Sequence, residues 1–331
     1  MTTTRLVLPF LLALAACGDK PAATSAPAGG APPPRTITIG LVAKSQGNAV
    51  FQAAYAGAKA AAEALGEKHG VVVNIDWQTP PEENPQKQAE AIEQLARAGV
   101  PGIAVSCSDA NTLTAAIDKA VELGSVVMCF DSDAPRSKRF AYFGTDDATC
   151  GALVMQELAA AMGEHGIIAI LAGNQTAPNL QARVEGVKQE LAKHPNMRLV
   201  DDGVIYHPET PEQAAEAMNR EQSTHPEIEG WALVGGWPLF TGGALKWEPG
   251  HPKVVSVDAL PAELAYLGSG HVEVLLAQDC YGWGHRSVEI LLDKIVRSQE
   301  PAQPRVIDPL TKVTAADADE YAKKWDKWLG K

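Results

Sequence analysis

Thr36-Ile37-Thr38-Ile39-Gly40-Leu41-Val42-Ala43 reads as a short apolar strand. The stretch after it, Val50 to Leu65, carries Phe51, Ala54, Tyr55, Ala58 and Ala62 at helical spacing until Gly66 ends it. The same alternation continues. Val71 to Trp77 is a predicted strand and Gln86 to Ala98 a helix; Gly102 to Ser106, Asn111 to Leu123 and Ser125 to Phe130 follow in turn. Short apolar strands separated by helices imply βαβ crossovers and a parallel sheet covered on both faces. After Tyr142-Phe143-Gly144-Thr145 the pattern restarts. Helices are predicted at Cys150 to Met162, Leu180 to Leu191 and Glu212 to Gln222, and strands at Gly166 to Leu171, Leu199 to Ile205, Trp231 to Val234, Val254 to Val257 and Val272 to Ala277. Val306-Ile307 and a helix over Ala316 to Leu329 close the chain. The expected fold class is α/β, with two similar doubly wound parallel-sheet lobes.

Upstream of the first strand, Arg5 precedes an apolar run, Leu6 to Ala13, that ends in Leu14-Ala15-Ala16-Cys17-Gly18-Asp19. A positive start, a short apolar stretch and small residues before the break make a secretory signal. Leu-Ala-Ala-Cys resembles the bacterial lipoprotein signal, which implies that Cys17 is lipidated and becomes the first mature residue. An ordinary signal with an incidental cysteine is the alternative. Gly18 to Arg35 is rich in Ala, Pro and Gly and has little to bury. The expected organisation is therefore a signal peptide over 1–16, a disordered tether over 17–35 and a folded body from about Thr36.

The 331 residues carry a formal net charge of −12 and are 46% hydrophobic, enough for the cores of two domains behind the tether. The acidic balance argues against nucleic acid and against a polybasic membrane surface. Beyond Cys17 there are four cysteines, Cys107, Cys129, Cys150 and Cys280, without a C-x-x-C pair. Cys107 and Cys129 fall near the ends of consecutive strands, where a disulfide and two buried free thiols are both open. There is no G-x-S-x-G, no G-x-x-x-x-G-K-[ST] and no H-E-x-x-H, and the histidines are scattered. Asp131-x-Asp133 hints at a calcium loop that Pro135 and a missing glycine spoil. No enzyme activity, cofactor or metal is expected.

Several segments resemble, in order, the periplasmic sugar-binding proteins of ABC importers, in the type I, ribose-binding-like branch. They are Ile39-Gly40-Leu41-Val42 with Gly47-Asn48-Ala49-Val50-Phe51 and Gly57-Ala58; Val127 to Asp133 with Gly144-Thr145-Asp146; Asn179 to Gly186; Gly242 to Leu245; Val254 to Asp258; and Ala277 to Gly284. The likeness runs from about Thr36 to about Thr314. It implies two lobes joined by three crossovers with a ligand between them. The N-terminal lobe takes 36–144 plus 279–305, and the C-terminal lobe takes 145–278 plus 306–331.

Asp109, Asp131 and Asp258 each follow a predicted strand. In open α/β sheets ligands collect there, and a carboxylate accepts hydroxyl hydrogen bonds well. Asp109 also fits a helix cap. The resemblance implies ligand roles for Asp131 and Asp258, for Asn48 in the first loop, for Arg183 from the second lobe, for Gln278 at a crossover and for Phe51 as a stacking aromatic. Three positions depart from the family: Val50 stands at the second aromatic, Ser132 at an arginine, and Trp237-Pro238 at an Asn-Asp pair. Ser132 and Trp237 are accordingly candidate ligand residues that favour a ligand other than ribose. Tyr206 and Trp283 are weaker aromatic candidates.

On this resemblance the chain is a lipid-anchored solute receptor of the cell envelope. It would bind a carbohydrate-like small molecule, act as a monomer and deliver its ligand to the transmembrane subunits of an ABC permease. Reporting ligand occupancy to a membrane kinase or chemoreceptor is a second reading, and a secreted carbohydrate-active enzyme a third.

Overall fold

The computed structural model describes residues 35–329. Cys17, the apolar run before it and the tether as far as Pro34 lie outside the described residues. Two six-stranded sheets organise the body. The first holds β1 (Thr36–Val42), β2 (Val72–Trp77), β3 (Gly102–Val105), β4 (Val126–Phe130), β5 (Ala141–Gly144) and a late strand, β11 (Arg305–Ile307). The second holds β6 (Gly166–Gly173), β7 (Met197–Tyr206), β8 (Gly230–Leu233), β9 (Lys253–Val257), β10 (Val274–Ala277) and β12 (Thr311–Val313). Their strand orders are β11-β5-β4-β3-β1-β2 and β12-β10-β9-β8-β6-β7, the same winding twice. All pairings are parallel except β10 with β12.

β3, β5, β8 and β10 are buried at every position, as strands covered on both faces must be. The covering helices are α1 (Ala49–His69), α2 (Pro85–Arg97), α3 (Ala110–Glu122), α4 (Asp147–Met162), α5 (Pro178–Leu191), α6 (Pro211–Thr224), α7 (Pro261–Gly268), α8 (Cys280–Arg297) and α9 (Ala318–Trp328). Each lobe has one closely crossed helix pair. A Cβ on Gly57 of α1 would collide with the Tyr281 carbonyl of α8, and one on Gly284 with the Ala54 carbonyl. In the second lobe, Gly151 of α4 abuts the Arg183 carbonyl and Gly186 of α5 abuts that of Ala148. Only glycine permits this approach, and in the second lobe it sets α5, and Arg183 with it, against the end of α4.

The chain passes between sheets after β5, after β10 and after β11. Val306 and Ile307 pair with Phe143 and Gly144 of the first sheet, so the last passage follows residue 307. This differs from the boundary at 305 drawn from sequence. The three-residue strand looks the same whichever sheet it joins, and only its pairing places it. Cys107 and Cys129 are free, fully buried thiols with their sulfurs 3.9 Å apart. Among the described residues no helix is long and apolar enough to cross a membrane, and no cluster suited to a metal ion occurs.

Candidate functional site

Asp131 and Asp258 occupy equivalent places in the two windings, one residue past β4 and β9. Both adopt the left-handed backbone conformation, with φ of 55° and 76°. That conformation costs a non-glycine residue energy and persists where surrounding structure enforces it. Tyr142 contributes to this in the first lobe: its hydroxyl donates to the Asp131 carbonyl at 2.8 Å.

A buried polar network surrounds the two carboxylates. Ser106 Oγ donates to Asp131 Oδ2 at 2.7 Å. Gln278 Nε2 donates to Asp258 Oδ1 at 2.8 Å and the Gly236 amide to Oδ2 at 3.3 Å. Arg183, only 2% exposed, spends its guanidinium three ways: on Asp147 Oδ1 at 2.9 Å, the Val234 carbonyl at 3.0 Å and Gln278 Oε1 at 2.7 Å. Gln278 Oε1 also accepts from Thr145 Oγ1 at 3.0 Å. Thr145 and Gln278 stand at two of the three passages, so this amide ties them together. Burial pushes the Asp147 carboxyl up to about 6 despite its arginine, and it raises Asp258 as well.

The lobes touch through side chains at the same place. Asn179, at the start of α5 in the second lobe, donates from Nδ2 to Asp131 Oδ1 at 3.3 Å and accepts from Lys44 Nζ at 3.4 Å. Lys44 follows β1 and its side chain is 3% exposed. Its ammonium stands 4.0 Å from Glu209 Oε1, just past β7. Nearby, Asn174 Nδ2 donates to Glu83 Oε1 at 2.8 Å. These contacts join the two lobes through charged and polar side chains.

A family model described as the periplasmic binding protein domain matches residues 39–299. The chain belongs to the periplasmic binding protein family. The D-ribose/D-allose-binding protein of Pseudomonas aeruginosa is 27% identical over 251 residues, covering 72% of this chain and 76% of that one. A solute-binding protein of an ABC transporter from Burkholderia graminis, solved in complex with D-arabinose, is 27% identical with a TM-score of 0.75; the match covers 85% of this chain and 96% of that one. A carbohydrate transporter solute-binding protein from Agrobacterium radiobacter, also solved with D-arabinose, reaches a TM-score of 0.77 at 22% identity over 88% and 98% of the two chains, a likeness of fold. Family membership places the work of this periplasmic binding protein outside the cytoplasm.

Within this binding protein, Asp131, Arg183, Asp258 and Gln278 join one network, and Ser132 lies beside it, fully buried with its hydroxyl unpartnered. Trp237 begins a single 3-10 turn, Trp237–Phe240, and is 4% exposed. Its indole packs over Gly173 and Gly235 at the ends of two second-lobe strands and meets His207 edge-on at 5.0 Å. Asn48 is half-buried and caps α1, accepting from the Val50 amide at 3.1 Å. Phe51 is packed on Trp283 at 6.2 Å between ring centroids, and Trp283 in turn on Phe130 at 6.5 Å. Phe51 and Trp283 are both buried in that apolar stack. Asp109 caps α3 through the Thr112 amide at 2.6 Å, and Tyr206 is 37% exposed. Sequence reasoning missed Lys44, Asn179, Glu209 and His207. The one local signal was a lysine directly after an apolar strand.

Proposed function

We propose that this protein is a solute receptor of the cell envelope that takes a neutral sugar or sugar-like polyol into the interlobe cleft. The observation that carries this reading is the pair of strand-end aspartates, one per lobe, both held in the left-handed conformation and both accepting buried hydrogen bonds. Carboxylates so placed accept hydrogen bonds from hydroxyls on both sides of a ligand. Contacts from the two lobes are complete only when the cleft is shut, so ligand favours the closed form by its differential affinity. A permease that distinguishes closed from open then receives loaded protein, and a lipid on Cys17 keeps the receptor at the membrane. The test is a thermal-shift panel of monosaccharides, polyols and nucleosides, beginning with D-ribose, D-allose and D-arabinose. A ligand at 100 times its Kd adds about 2.7 kcal/mol to stability. A panel of neutral sugars and polyols with no stabiliser would reject the reading.

A further inference from the structure

Among the described residues, four buried polar atoms close to the network have no hydrogen-bond partner: Ser132 Oγ, His207 Nε2, Glu209 Oε1 and Glu263 Oε1. Two of them sit on one short segment that follows β7. The Glu209 side chain is 8% exposed and His207 6% exposed, so water does not readily serve either atom. An unsatisfied buried acceptor costs about 1–3 kcal/mol, more when charged.

The geometry around each atom defines what would satisfy it. The Lys44 ammonium is 4.0 Å from Glu209 Oε1, too far for a direct hydrogen bond. One hydroxyl oxygen at ordinary distances of about 2.8 Å from the nitrogen and about 2.7 Å from the oxygen would bond to both. Its angle would be about 90°, near that of a hydroxyl accepting one bond and donating another. His207 Nδ1 lies 2.6 Å from the Pro208 carbonyl, which only accepts, so Nδ1 carries the proton and Nε2 presents a lone pair. Burial holds the imidazole below its usual pKa and keeps it neutral. The ring is fixed in place by the edge of Trp237.

We propose that the segment His207–Glu209 is the specificity element of the second lobe, in which Glu209 Oε1 and His207 Nε2 each accept a hydrogen bond from a ligand hydroxyl, and the ligand hydroxyl that donates to Glu209 also accepts from Lys44 across the cleft. The inference deepens the receptor reading and rests on it. It names the ligand class as an uncharged polyol with two hydroxyls in this corner. Glu83 and Asp131 also face Lys44 and Glu209, so a sugar acid meets surplus negative charge.

The test pairs ligand and protein deletions. Whichever neutral sugar or polyol of the panel stabilises the wild type most is titrated calorimetrically, with its monodeoxy analogues, against wild type, Glu209→Gln and His207→Phe. The wild type should lose at least about tenfold in affinity for one deoxy analogue, and Glu209→Gln should bind that analogue and the parent within about twofold of each other. His207→Phe should do the same at a second hydroxyl. If the wild type binds the sugar and both variants keep its full parent-to-deoxy ratios, the element is not a specificity site although the receptor reading stands. If both variants fail to fold, the role is structural and the proposal is overturned. If no neutral sugar or polyol of the panel binds the wild type, the sugar reading itself fails and this inference falls with it.

Discussion

Replacing Asn179 by alanine should open the cleft without weakening the lobes. Its amide is the one side chain seen to bond Asp131 and Lys44 together across the cleft, at 3.3 Å and 3.4 Å. Hydrogen bonds to charged groups contribute about 1.5–3 kcal/mol at good geometry, and these long ones about 1 kcal/mol each. Losing both disfavours the closed form by about 2 kcal/mol, a factor of about 30 in the closed-to-open ratio. The loss falls on closure because in the open form water reaches Asp131 and Lys44. Small-angle scattering of the ligand-free protein should therefore give a larger radius of gyration for Asn179→Ala than for wild type, at an almost unchanged Tm. Equal radii together with a Tm lowered by several degrees would refute the reasoning, because Asn179 would then stabilise the fold and not the closed state.

Trp237→Ala should cost about 3–5 kcal/mol of stability, the usual range for a buried tryptophan, since its indole fills the space over Gly173 and Gly235. Chemical denaturation measures this, and a loss below about 1 kcal/mol would show a side chain held for ligand alone. Cys17→Ser should release the protein from the membrane fraction with the body still folded, whereas equal retention of mutant and wild type would sink the lipoprotein reading. Ligand-free stability should fall as pH rises through the values of Asp147, about 6, and Glu209, about 7, both raised by burial above their unfolded values. His207, lowered by burial, opposes this only below about pH 6.5, and Glu209→Gln should flatten the decline in Tm between pH 5 and 8.

The alternation of apolar strands and helices was legible because each strand is covered on both faces and so reads as a short apolar run. The candidate site residues that follow from it are those at strand ends, Asp131 and Asp258. Lys44, Asn179 and Glu209 were not legible, because their partners come from the other lobe and no local spacing announces them. Asn179 lay inside a quoted segment, yet only its bonds to Asp131 and Lys44 reveal what it does. Phe51 is ambiguous for the opposite reason. An aromatic at the start of α1 suits a ligand or a core equally, and its neighbour Trp283 is far away in sequence.

The most direct measurement is calorimetric titration of wild type, Asp131→Ala and Asp258→Ala with the sugar that stabilises the wild type most. The account predicts one site per chain in the wild type and a loss of about 1.5–3 kcal/mol of binding free energy in each variant, with the ligand-free fold retained. Wild-type affinity in both variants would contradict it.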